Sequence, residues 1–136
     1  MNFKKLFVLI SVLAIALTGN IASSLAKTYN ITVKSGRTHE LVRFSVFNQS
    51  DCGAAAYPKF KIFQPAHGTI TVKKFRGKLT VKGHCRGKLA KGMSVSYKSK
   101  RGYRGADSGK VNFNFFRSDD GDQIIVNQVK FKLRVK

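Results

Sequence analysis

From about residue 27 onward, apolar and polar positions alternate in short runs. Tyr29, Ile31 and Val33 alternate with polar neighbours, as do Val42, Phe44 and Val46, then Phe60 and Ile62. Ile70 and Val72 follow Gly68, and Leu79 and Val81 alternate with Lys78, Thr80 and Lys82. Met93, Val95 and Tyr97 come next, then Val111, Phe113 and Phe115, and finally Val129, Phe131, Leu133 and Val135. A period of two places successive side chains on opposite faces of a strand, and β-branched and aromatic residues suit that geometry. Ser35-Gly36, Asp51-Cys52-Gly53, Gln64-Pro65, Arg76-Gly77, Arg86-Gly87, Lys91-Gly92, Arg101-Gly102 and Asp119-Asp120-Gly121-Asp122 interrupt the runs with turn residues. The pattern predicts an all-β fold, an antiparallel sandwich of about seven or eight strands. Phe75-Arg76-Gly77-Lys78 reads as a tight hairpin between strands 69–75 and 78–82. No segment after residue 26 sustains a helical period.

The first residues break this pattern. Lys4 and Lys5 precede an unbroken apolar run, LFVLISVLAIAL over residues 6–17; Thr18-Gly19-Asn20 follows, and Ser24-Leu25-Ala26 ends in small residues. That order describes a Sec signal peptide of a bacterial exported protein, with cleavage expected after Ala26. The run is shorter than the roughly 20 apolar residues a membrane span needs. Residues 27–136 are then expected to form one domain in the periplasm or outside the cell, with no further membrane segment.

Charge changes the picture most. The chain has 26 Lys and Arg against 6 Asp and Glu, a formal net charge of +20. Without Lys4 and Lys5 the count is 24 against 6, or +18. Such a field draws anionic polymers or an acidic protein surface. Lys59, Lys61, Lys78, Lys82, Lys130, Lys132, Arg134 and Lys136 fall opposite apolar residues in the expected strands, so the charge is built into the outer sheet faces. Lysines at strand edges also discourage sheet-to-sheet aggregation, and the two roles are compatible.

Cys52 and Cys85 are the two cysteines. In an exported chain an even pair reads as one disulfide, preferred here to a metal site of His84 and Cys85 with His39 or His67, because no paired ligand spacing occurs. Asp119-Asp120-Gly121-Asp122 holds half of the acidic residues; it reads as a hairpin turn in preference to a calcium loop. His39, His67 and His84 are scattered and Glu40 is the single Glu. No nucleophile elbow, phosphate-binding glycine loop or cofactor motif is present, so no catalytic residue, metal or cofactor is expected and the protein reads as a non-enzymatic binder.

Residues 64–136 carry two motifs: Pro65-Ala66-His67-Gly68-Thr69-Ile70-Thr71-Val72, and Tyr97 followed by Gly102-Tyr103-Arg104-Gly105-Ala106-Asp107-Ser108 and the strand Val111-Asn112-Phe113. This stretch resembles the bacterial Ig-like, cadherin-like repeats of exported and surface proteins. Gly109 stands where that family has an aromatic, and Ser99 where it has Pro. The resemblance implies an Ig-like sandwich. It also implies a structural loop of Gly102, Gly105 and Asp107, the Asp107 carboxylate accepting backbone N–H groups from residues 102–105 and Tyr103 plugging the corner.

The same segment is the richest candidate for binding. Lys98, Lys100, Arg101 and Arg104 supply four cations, with Tyr103 beside them; cations neutralise anionic groups while an aromatic stacks on a base or sugar. No nucleic-acid motif accompanies them, and export argues against a nucleic-acid partner in the producing cell. The sequence therefore reads as an exported protein that binds an anionic envelope or glycan partner through its basic sheet faces and this loop. Two other readings stay open: a secreted effector of a host-associated bacterium acting on a host protein, and a basic inhibitor of an acidic target.

Overall fold

The computed structural model describes residues 25–116 and 124–136. The segment 1–24, which holds most of the expected signal peptide, and the acidic turn Asp119-Asp120-Gly121-Asp122 lie outside the described residues. Seven strands are described: β1 Leu25–Val33, β2 Thr38–Val46, β3 Lys59–Phe63, β4 Gly68–Lys78, β5 Leu89–Ser99, β6 Gly105–Phe116 and β7 Ile124–Val135. They form a four-stranded sheet in the order β1-β7-β6-β3 and a three-stranded sheet in the order β2-β5-β4. All pairings are antiparallel except β1 with β7, which run parallel with Thr28 opposite Lys130 and Val33 opposite Val135. No helix long and apolar enough to cross a membrane occurs among the described residues.

The alternation explains how the sheets meet. Val33, Val111, Phe113, Phe131, Leu133 and Val135 from one sheet pack with Ile70, Met93, Val95 and Tyr97 from the other in a single buried cluster. Burying each such side chain contributes about 1.5–3 kcal/mol. Gly109 faces this core, and a Cβ there would collide with Ile70 Cδ1. Where the resembling repeats have an aromatic, this chain admits Ile70 from the opposite sheet.

Two local expectations are corrected. Arg76-Gly77 is not a hairpin: β4 runs through it, with Arg76 paired to Lys91 and Gly77 to Ala90. Leu79, Thr80 and Val81 are not a strand but open the β4–β5 loop. Leu79 instead turns into a second small core with Cys85 and Ala90, against Phe47 and Cys52. The loop is then closed by Leu79 N–H bonding to the Lys88 carbonyl and Gly87 N–H to that of Leu79. Lys82 accordingly sits in a loop rather than on a sheet face.

The cysteines form one disulfide, with Cα atoms 5.3 Å apart and a sequence separation of 33. It ties the β2–β3 loop, residues 47–58, to the β4–β5 loop, residues 79–88. Cys52 takes a positive φ of 59°, unusual for a residue with a side chain. Its neighbours brace it: Asp51 Oδ1 accepts the Gly53 N–H at 2.7 Å, and the Gly53 carbonyl accepts the Asn48 N–H.

Candidate functional site

The two outer sheet faces differ sharply. On the β1-β7-β6-β3 face, register places Thr28, Lys130, Lys110 and Phe63 in one row across all four strands. Neighbouring rows hold Asn30, Lys132 and Ser108, then Thr32, Arg134 and Ala106. On the other side lie Gln128, Asn112 and Lys61, then Asn114 and Lys59. Six cations, Lys59, Lys61, Lys110, Lys130, Lys132 and Arg134, thus share a face with amides and hydroxyls, and no acid appears in these rows. Lys110 stands directly opposite Lys130, a like-charge pairing that costs stability. Lys110 Nζ is drawn over the Phe63 ring, 4.2 Å from its centroid, and Lys61 Nζ lies 5.2 Å from the same centroid. Phe63 is an exposed aromatic at 38 %, lining a shallow hollow of about 250 Å³ with Gln64, Ser108, Lys110, Gln128 and Lys130.

The β2-β5-β4 face is mostly hydroxyl-bearing, and its charge is partly tied down. A bulge at Leu41 brings Glu40 and Arg43 together, with Arg43 Nη2 2.8 Å from Glu40 Oε2. Ser94 Oγ donates to the same oxygen at 2.6 Å. Arg43, followed by Ser94, holds the Glu40 carboxyl below its ordinary range. The Arg43 guanidinium also covers the Phe75 ring at 4.6 Å. Phe75 lies over Gly92, where a Cβ would collide with the ring and come within 2.8 Å of the Phe44 carbonyl.

The basic loop read from sequence lies at one end of the sheets. Residues 100–103 form a turn in which Tyr103 N–H bonds to the Lys100 carbonyl, and Gly102 takes a φ of 79° that the third turn position demands. The β1–β2 turn, residues 34–37, is built the same way, with Gly36 at φ 70°. The two turns abut: Gly36 N–H donates to Ser99 Oγ at 2.8 Å. A depression of about 410 Å³ between them is lined by Ser35, Gly36, Arg37, Lys98, Ser99 and Arg101. Lys98 and Arg101 are thereby brought together with Arg37, which the sequence reading passed over. Nothing in the linear sequence links turns so far apart; only the fold does.

Tyr103, by contrast, is committed to the protein. Its ring stacks on His67, centroids 4.1 Å apart and planes 6° from parallel, and its hydroxyl donates to the Ala106 carbonyl. Lys100 and Arg104 are exposed. Asp107 does not reach the 102–105 loop. Its carboxylate accepts the Tyr97 hydroxyl at 2.7 Å, the His67 N–H at 3.2 Å and the Ser108 N–H at 3.0 Å. The reason is that Asp107 already lies inside β6 and points inward, buried, toward β5 and the β3–β4 connection. Burial, then the bond to Asp107, pushes the Tyr97 phenol above its ordinary value.

At the opposite end, His84 Nε2 lies 3.5 Å from Cys85 Sγ, but both sulfurs of the Cys52, His84, Cys85 group are bonded to each other. His39 bonds the Lys34 backbone and His67 stacks on Tyr103, both away from that cluster.

No family model matches the chain, and no curated protein matches it in sequence. Among solved structures the chain is similar to the solution structure of amebosin, at TM-score 0.44 and 8% identity, over 84% of this chain and 99% of that one.

Proposed function

We propose that this is an exported, non-enzymatic, immunoglobulin-like domain that binds an anionic envelope or glycan partner. The observation that carries the reading is the β1-β7-β6-β3 outer face: six cations, flanking amides and an exposed Phe63, with no acid in the same rows. A like-charged lysine pair opposed across two strands is a stability cost that an anionic partner would relieve. Sheet order supports the immunoglobulin-like reading, since a first strand parallel to the last and a second sheet of β2, β5 and β4 fit that architecture. The disulfide supports an oxidising compartment. The described carboxylates favour binding over catalysis: Glu40 is held by Arg43 and Ser94, Asp51 caps a turn, and Asp107 is filled by three donors.

The test compares two variants of equal charge. One replaces Lys61, Lys110, Lys130 and Lys132 with Ala; the other replaces Lys73, Lys74, Lys78 and Lys82. Both are offered lipopolysaccharide, peptidoglycan, a heparin-like glycan and nucleic acid at physiological and high salt. At about 1 kcal/mol per lysine near an anionic surface, the first should lose roughly 100- to 1000-fold in affinity for one polymer while the second keeps most of it. Equal losses, erased by salt for every polymer, would reduce the face to a diffuse field. A stoichiometric complex with one protein that survives high salt would move the reading to the effector or inhibitor alternative.

A further inference from the structure

The depression between the β1–β2 and β5–β6 turns is lined by Ser35, Gly36, Arg37, Lys98, Ser99 and Arg101. Arg37, Lys98 and Arg101 are cations, and among the described residues no carboxylate side chain lines it. Ser99 is buried at 3 % exposure; its Oγ accepts the Gly36 N–H, and the hydroxyl proton has no acceptor among the described residues. Ser35 Oγ is likewise buried with no hydrogen-bond partner among the described residues. A hydroxyl withheld from water without a partner costs about 1–3 kcal/mol, and Ser35 Oγ is such a group beside three positive charges.

We propose that this depression is a discrete site for one phosphate or sulfate monoester group. The two guanidiniums offer forked N–H donors that match tetrahedral oxyanion geometry, Lys98 adds a point charge, and the Ser35 and Ser99 hydroxyls complete the donor set. The turns hold this arrangement through their own bonds: Ser35 N–H to the main-chain oxygen of Lys136, Gly36 N–H to Ser99 Oγ, and Lys100 N–H to the His67 carbonyl. The volume of about 410 Å³ falls in the range of small-molecule sites and leaves room for a carrier sugar beyond the charged group. The site rests on the anion-binding reading above but uses none of the lysines of the sheet face.

The test is an amide chemical-shift titration of the purified protein in 150 mM chloride. The probes are inorganic phosphate, inorganic sulfate, glucose 6-phosphate and glucose 6-sulfate, with acetate as control. The expected result is saturable shifts at Ser35, Gly36, Arg37 and Arg101, none at Asn112 or Gln128, and little response to acetate. The two glucose esters then tell a phosphorylated from a sulfated source. Arg37→Ala and Arg101→Ala should each weaken binding about tenfold, Arg37→Lys less, and Ser35→Ala a few-fold, while Lys110→Ala leaves it unchanged. Linear, unsaturable shifts spread over all basic residues, or Arg37→Ala binding as tightly as the parent, would overturn the proposal. If that happens while polymers still bind through Lys110 and Lys130, the site fails and the functional reading stands; loss of both removes the two together.

Discussion

The two ends of the sheets are held by different chemistry. At the β5–β6 end the connections are short turns, knitted by hydrogen bonds around the buried Asp107: Tyr97 and Ser108 donate to it, and so does His67, whose carbonyl holds Lys100. At the other end the connections are long loops, residues 47–58 and 79–88, joined by Cys52–Cys85 over the small core of Leu79 and Ala90. A disulfide acts mainly by restricting the unfolded chain. A buried carboxylate acts only in the folded state, where its desolvation is offset by the donors it gathers. The end that carries the candidate oxyanion site therefore depends on polar satisfaction, and the far end on a covalent link.

Removing the carboxylate should have the largest effect. Asp107→Ala strands the Tyr97 hydroxyl and the His67 N–H in a dry setting, so a loss of about 3–5 kcal/mol is expected in urea unfolding. Asp107→Asn keeps one acceptor oxygen and should lose less than half of that. A loss under about 1 kcal/mol for Asp107→Ala would mean the network is incidental. Next comes the paired replacement of Cys52 and Cys85 with Ala, expected to lose about 3–4 kcal/mol for a loop of this length. The ends sit at opposite termini of β5, so the two losses should add to within about 0.5 kcal/mol. Strong non-additivity would show that the ends are not independent.

Legibility in the sequence follows the same division. Strands whose parity is reinforced on both sides, such as Val111 to Phe115 and Val129 to Val135, could be read directly, because a period of two is a local property. Leu79 and Val81 also alternate, yet among the described residues no strand pairs with them: Leu79 packs with Cys85 beside the disulfide and Val81 stays 38 % exposed. Gly77 looks like punctuation, but its backbone is extended and paired, and a Cβ there would make only ordinary contact with the Phe75 ring. The outward aim of Phe63 was within reach of the same parity that turns Ile62 inward. The parallel β1–β7 pairing, the reach of Asp107 to His67 and the meeting of Arg37 with Arg101 were not legible, since each joins residues that only tertiary packing brings together.

The smallest effect expected is also the most diagnostic of the polar end. Tyr97→Phe keeps the packed ring and removes one of the three donors to Asp107, so it should lose about 1–2 kcal/mol at neutral pH. Burial first, and the Asp107 bond second, raise the native phenol above its ordinary value of 10.0. The folded state therefore holds this proton more tightly than the unfolded chain does. Its contribution is fully present below pH 10 and is lost as pH rises from there toward the native value. The stability gap between parent and Tyr97→Phe should thus narrow above pH 10, while lysine titration, common to both proteins, cancels in the difference. The gap between the parent and the cysteine-free variant should stay constant over the same range, because no titrating group maintains the link. A parent-to-Tyr97→Phe gap unchanged from pH 8 to pH 11 would show that the phenol is not tied to Asp107, and with it would go the distinction between a proton-dependent end and a covalent one.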